Sequence, residues 1–272
     1  MLGAMKKQLI LILVAVFAVA CGAFPARSFA PGLADSQAAR DSRPANAGKP
    51  GDEVSAAAEL SKMRVPLGRD PSGRVQWIEA VKGELSDDAM QYLPRLPLLE
   101  WLEIGGGKVT AEGLAYLKGC TELRRLYVHD LKLNDDPLSW LSALTRLEAL
   151  SLQSTGITGK VLGNLKEIQT LTVMNLSNND IRDEDLAQVA RLTRLEVLAL
   201  KDTKVTGYGV AKLEGMPRLN VFNMINCRIE DEDAEHFLTM PNLRIIHASG
   251  CNISDSTVTS LSERMPMLAI FR

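Results

Sequence analysis

Apolar side chains recur in this chain at a fixed interval of 24 residues, without insertion or deletion, from Val75 to the last residues of the sequence. Four columns define the register. The first runs Val75, Leu99, Leu123, Leu147, Leu171, Leu195, Leu219, Leu243 and Met267. Three residues on come Ile78, Leu102, Leu126, Leu150, Met174, Leu198, Phe222, Ile246 and Ile270. Two further on come Ala80, Ile104, Val128, Leu152, Leu176, Leu200, Met224 and Ala248, and five beyond those Leu85, Val109, Leu133, Ile157, Ile181, Val205, Ile229 and Ile253. Steps of three, two and five fit neither a continuous helix nor a continuous strand; the step of two marks a short strand with one face turned inward. A repeat of this length means an array of stacked units.

The other half of each unit changes period. Leu114, Leu117 and Cys120, or Leu138, Leu141 and Leu144, step by three, as one face of a short helix does. Before it stands a capping residue (Ser86, Thr110, Asn134, Thr158, Thr206 or Ser254), often followed by acids suited to a helix N-terminus: Asp87 and Asp88, Asp183 to Asp185, Asp231 to Asp233. The unit is therefore strand, turn, short helix and return. The apolar burial open to one such unit falls short of the entropy lost in ordering it, so units must share a core and a strand ladder with their neighbours.

The pattern L-x-x-L-x-L-x-x-N/C/T-x-I/V-T/S-D, carried over about 74–272, resembles the leucine-rich repeat superfamily. The "IT", "VT" and "LSDDAM" openings of the helical halves are similar to secreted bacterial members with V-T-D-x-G-L repeats. The resemblance implies an α/β fold: a right-handed horseshoe solenoid with parallel strands on its concave face and short helices on its convex face. It specifies a fold and leaves the function to the particular side chains.

Four segments are expected. Residues 1–20 read as a signal peptide, with Lys6 and Lys7 ahead of an apolar run, Leu9 to Ala20, too short to span a bilayer. "AVAC", ending at Cys21, resembles a bacterial lipobox with Ala18 in place of the usual Leu, which would make Cys21 a lipidation site; ordinary cleavage after "AVA" is the alternative, and both export the protein to the cell envelope, periplasm or outer surface. Residues 21–51, rich in Ala, Pro, Gly and Ser, read as a flexible tether. Residues 52–73 read as an N-terminal cap: a helix over 52–63, a strand at "RVPL" and a turn at "RDPSG", with Pro66 spoiling the outer edge. Residues 74–272 hold eight repeats and a final strand, "MLAIFR", whose outer edge is either blunted by Arg272 or open for docking.

Alternation along a strand sends the residues between the core columns to the concave wall. The candidate partner-binding residues there are Trp77, Glu79, Trp101, Glu103, Arg125, Tyr127, His129, Gln153, Asn175, Lys201, Asn223 and His247. Aromatic and arginine side chains, the types that anchor interfaces, gather in the first three repeats. A competing reading packs these rings beneath the cap. A second aromatic column, Tyr92, Tyr116 and Trp140, falls in the helical half and is assigned to convex-side packing.

Nothing in the sequence assembles a catalytic centre. "GGGKVT" at 105–110 lacks the spacing of a phosphate loop and uses Val109 as core, and the "DED" and "EDED" runs lack the glycine and ligand spacing of a calcium loop. His129 and His247 lie five repeats apart, and His236 belongs to a convex helix, so no nucleophile, base and orienting acid converge. Without Lys6 and Lys7 the 31 basic residues become 29 against 33 acidic, a net charge of −4 spread along the chain, which is not the footprint of a nucleic-acid binder. No metal or cofactor is expected. Cys227 and Cys251 share an inward column within disulfide range of each other, but that column's hydrogen bonds to the turn favour free thiols. The expected function is non-catalytic binding of a protein or peptide by an exported, lipid-anchored protein; the alternative is a structural envelope protein without a specific ligand.

Overall fold

The computed structural model describes residues 50–133 and 136–272. The leader, Cys21, all of the tether up to residue 49 and the Asn134 cap lie outside the described residues. Pro50 and Gly51, assigned to the tether, open the first helix, Pro50–Lys62. Among the described residues ten strands follow in one sheet, ordered as in the sequence: β1 (Leu67–Arg69), β2 (Val75–Ala80), β3 (Trp101–Gly105), β4 (Arg125–His129), β5 (Ala149–Ser151), β6 (Val173–Asn175), β7 (Val197–Ala199), β8 (Val221–Asn223), β9 (Ile245–His247) and β10 (Ala269–Phe271). β1 runs antiparallel to β2, and every later pair is parallel. Each parallel pair matches residues 24 apart: Ile78 with Leu102, Leu126 with Leu150, Phe222 with Ile246. Unit n thus lies on unit n + 1 without slip.

All four apolar columns point into one core, buried from Val75 to Ile253. The last strand departs from this, because β10 has a described neighbour on one side only: Met267 is 74% exposed with Leu268 turned inward in its place, and Ile270 is half-buried. At the other end the cap strand occupies Leu67–Arg69 instead of 64–67. Pro66 has no N–H to give to a ladder, so pairing begins after it.

The helical halves are tighter than a run of α-helix. Asp136–Ala143 and Gly159–Leu165 are 3₁₀ helices, while Asp87–Met90, Ala111–Leu114 and Leu186–Val189 are single α turns. A strict step of three is the 3₁₀ period, which brings Leu138, Leu141 and Leu144 onto one buried face. Among the described helical halves, only Asp255–Arg264 reaches ten residues. In the second aromatic column Trp140 is buried in the core, Tyr92 is half-buried against it and Tyr116 is exposed.

The caps work between repeats as much as within them. Thr158, Thr206 and Ser254 each accept a hydrogen bond from a backbone N–H of their own first turn, whereas Ser86 and Thr110 do not. Thr110 instead gives its N–H and hydroxyl to the two carboxylate oxygens of Asp87, at 2.8 and 2.7 Å, and Thr206 does the same to Asp183, at 2.7 and 2.7 Å. Ser254 gives its N–H to Asp231 at 2.7 Å. Glycine makes room for these carboxylates: a Cβ on Gly209 would stand 2.5 Å from Asp183 Oδ1.

The strands are short, but their ladder continues through the turn. Asp130 (φ 56°), Ser154 (54°), Asn178 (57°), Asp202 (54°) and Asn226 (57°) occupy one 24-residue column in the left-handed region that polar residues of this kind tolerate. Each gives its N–H to a carbonyl of the next repeat, as Asn178 does to Lys201 at 2.8 Å. The neighbouring inward column then ties the turn to the core. Asn179 accepts from the N–H groups of Thr155 (3.1 Å) and Ile157 (3.2 Å) and donates to the carbonyls of Leu152 (2.7 Å), Leu176 (3.0 Å) and Ser177 (3.1 Å). Thr155, Thr203, Cys227 and Cys251 each donate one bond to a carbonyl from the same column; the two thiols are free and reach Leu200 (3.0 Å) and Met224 (3.1 Å).

Replacing Asn179 with Ala strands buried donors and acceptors in two adjacent repeats at once. We expect a loss of about 3 kcal/mol in urea-unfolding stability, with the transition broadening as repeats uncouple. A loss below about 1 kcal/mol would show that the turn does not depend on this side chain.

Candidate functional site

The residues between the core columns form three rows across the ladder. Trp77, Trp101, Arg125, Ala149, Val173, Val197, Val221 and Ile245 are successive neighbours in the first. Glu79, Glu103, Tyr127, Ser151, Asn175, Ala199, Asn223 and His247 form the second. His129, Gln153, Lys201 and their column mates follow at the strand ends. Chemistry is uneven along these rows. The first row carries aromatic and cationic groups only on β2, β3 and β4, then becomes an unbroken aliphatic stripe from Ala149 to Ile245. The stripe is legible as the residues three before each third-column position, but its meaning depends on the rows being aligned.

The middle row is more enclosed than expected of an open wall. Glu103, Tyr127, Asn175, Asn223 and His247 are buried, while Trp77, Glu79, Trp101, Arg125, His129, Gln153 and Lys201 keep part of their surface. Polar tips in this row turn onto their surroundings: Asn175 donates to Gln153 Oε1 at 3.1 Å and accepts from the Ser177 N–H at 3.0 Å, and Asn223 accepts from the Ile225 N–H at 3.1 Å. His247 stacks on Phe271 with ring centroids 5.0 Å apart, and burial pushes its pKa below the ordinary histidine value. Lys201 stands 3.7 Å from Asp202. These residues do not gather into one site.

The first three repeats do. Trp101 meets Tyr127 edge to face, centroids 6.4 Å apart and planes at 79°. Burial raises the Tyr127 hydroxyl to about 12, so it stays protonated. The His129 ring lies over Gly105, where a Cβ would come within 2.1 Å of it, and the Trp77 ring lies over Gly68 of β1 in the same way, at 1.8 Å. Trp77 therefore joins the wall to the cap. His129 holds Nε2 3.6 Å from Glu103 Oε1 and Nδ1 3.0 Å from Asp130 Oδ2. The Glu103 carboxylate and then Asp130 raise the histidine pKa, against the opposing effect of burial. Two polar atoms in the cluster are buried without a hydrogen-bond partner: the indole Nε1 of Trp101 and Oε2 of Glu103. No spacing rule in the sequence marks either atom.

Comparison with known proteins agrees with this architecture. The family described as "Leucine Rich repeat" matches residues 167–190, one repeat length. Internalin C2 of Listeria monocytogenes superposes with a TM-score of 0.52 at 25% identity, over 72% of this chain and 80% of its own. No curated protein matches. The chain has the fold of a leucine-rich-repeat solenoid of the α/β type, and one of its units matches that family's model. Solenoids of this class use their long concave surface for binding.

A histidine pKa raised in the folded state adds stability below its unfolded pKa and loses it as pH rises through the folded one. The pH-dependent part of the stability difference between the native chain and His129→Gln should therefore be fully present below the ordinary histidine pKa of about 6.5 and be lost as pH rises above it. Urea midpoints measured across that range check it, and a difference that does not vary with pH would remove the Glu103 pairing as its source.

Proposed function

We propose that this protein is a non-catalytic module that binds a protein or peptide through the β2–β4 end of its concave wall. The observation that carries the reading is the concentration of Trp77, Trp101, Arg125 and Tyr127, with Glu79 and Glu103, on three register-aligned strands, while the same rows are aliphatic or self-bonded elsewhere. Aromatic and arginine anchors beside an apolar stripe are the composition of an interface core. Panning a random peptide display library on the purified chain should enrich sequences whose affinity for Trp101→Ala falls by at least about tenfold, with the melting temperature of the variant as a folding control. Enriched peptides that bind a folded Trp101→Ala chain equally well would move the site elsewhere.

The same reading has the protein exported and held at a membrane by lipid on Cys21, supported by the short basic and apolar leader ahead of "AVAC". In a bacterial host fed labelled palmitate, label should enter the native chain and be lost in Cys21→Ser. Labelling of neither would leave a freely secreted protein, and equal labelling of both would place the lipid on another residue.

A further inference from the structure

The binding reading leaves open what the β2–β4 end recognises, and the unpartnered atoms there narrow the chemistry. Glu103 sits between Leu102 and Ile104, both core residues, so its side chain leaves the strand on the concave side. It is 6% exposed, yet Oε2 accepts no hydrogen bond, while Oε1 stands 3.6 Å from the His129 ring. A buried carboxylate oxygen without a donor is destabilising unless something supplies one. The Arg125 guanidinium, one register position from Trp101, does not fill that role, since Oε2 remains unpaired.

Glu79 is paired directly with Glu103 across β2 and β3. Like charges opposite one another on a sheet repel, and a single cation between them turns that repulsion into attraction. The walls suit a flat cation. Trp101 stands two residues before Glu103 on β3 and Tyr127 is the register partner of Glu103 on β4, with the two rings in edge contact, and an aromatic face within about 6 Å attracts a guanidinium or ammonium. Of the two cations, guanidinium is more weakly hydrated, stacks on rings and can engage two carboxylates with its planar fork, whereas an ammonium must keep more of its water.

We propose, resting on the concave-face binding reading, that Glu79, Glu103, Trp101 and Tyr127 form a recognition subsite for an arginine side chain of the bound peptide. The guanidinium donates to Glu103 Oε2, neutralises the Glu79–Glu103 pair and lies against the aromatic walls. The side chains that border the carboxylate, Trp101, Glu79 and His129, keep part of their surface exposed and form the approach to it.

The test uses three small probes on the full chain: N-acetyl-arginine amide, the neutral isostere N-acetyl-citrulline amide, and N-acetyl-lysine amide. The indole N–H resonances of the 3 tryptophans are followed by NMR, with Trp101 assigned by the loss of its signal in Trp101→Phe. The arginine probe should shift the Trp101 resonance and saturate at millimolar concentrations, the citrulline probe should leave it in place up to about 50 mM, and lysine should bind more weakly than arginine. Glu103→Gln should lower the arginine affinity at least about tenfold, and Glu79→Gln should lower it as well should the first variant fail to fold. No shift with arginine, equal responses to citrulline or lysine, or an affinity unchanged in a folded carboxylate variant overturns the proposal. If the panned peptides still lose binding to Trp101→Ala in that case, the wall binds by other chemistry and only the arginine subsite falls.

Discussion

Everything in this molecule depends on the backbone of each turn finding its hydrogen-bond partners in the next coil. A strand of three residues makes few ladder bonds, and a turn that leaves it into the core would carry buried N–H and C=O groups with no partner. The column of left-handed residues from Asp130 to Asn226 prolongs the ladder past the strand, and Asn179 closes the groups that remain. Both devices reach across to a neighbour at a fixed offset, so one coil of unequal length would break them on both sides. The constant 24-residue spacing is the sequence record of that requirement.

The convex side obeys the same rule with charge in place of amides. Asp87, Asp183 and Asp231 each leave their own helix start to cap the following one, and Gly113 and Gly209 provide the space where a methyl group would collide with a carboxylate oxygen. Ion pairs span repeats in a similar way, with Arg124 between Glu100 and Glu148. These exposed pairs add little individually. The buried or multiply bonded groups hold the register, and the surface charges follow it.

A rigid ladder has a functional consequence. Side chains on neighbouring strands stand about 4.8 Å apart without any loop to place them, so a cluster such as Trp101, Glu103, Tyr127 and His129 is prepared before a partner arrives. Preorganisation lowers the entropy cost of association. The cluster also lies where the sheet is bounded by the antiparallel strand β1, with Trp77 packed on Gly68, so this end of the wall is stiffened by the cap.

The sequence by itself determined the coil: which leucines are inward, where each strand turns into a helical half, and that the units stack in register as a leucine-rich repeat. Those properties follow from spacing, and spacing is visible in one dimension. The step of three is the 3₁₀ period, but over so few residues spacing alone does not separate it from one face of a short α-helix. Only the tertiary structure decided which in-between residues remain on the surface. Asn175 and Asn223 look as available as Glu79 in the sequence, yet they fold onto backbone N–H groups, whereas Glu103 is enclosed with one oxygen unsatisfied. The difference lies in what stands 24 residues to either side and in the rotamer each side chain adopts there, and a column of letters carries no record of how a side chain chooses between its own backbone and the space in front of it.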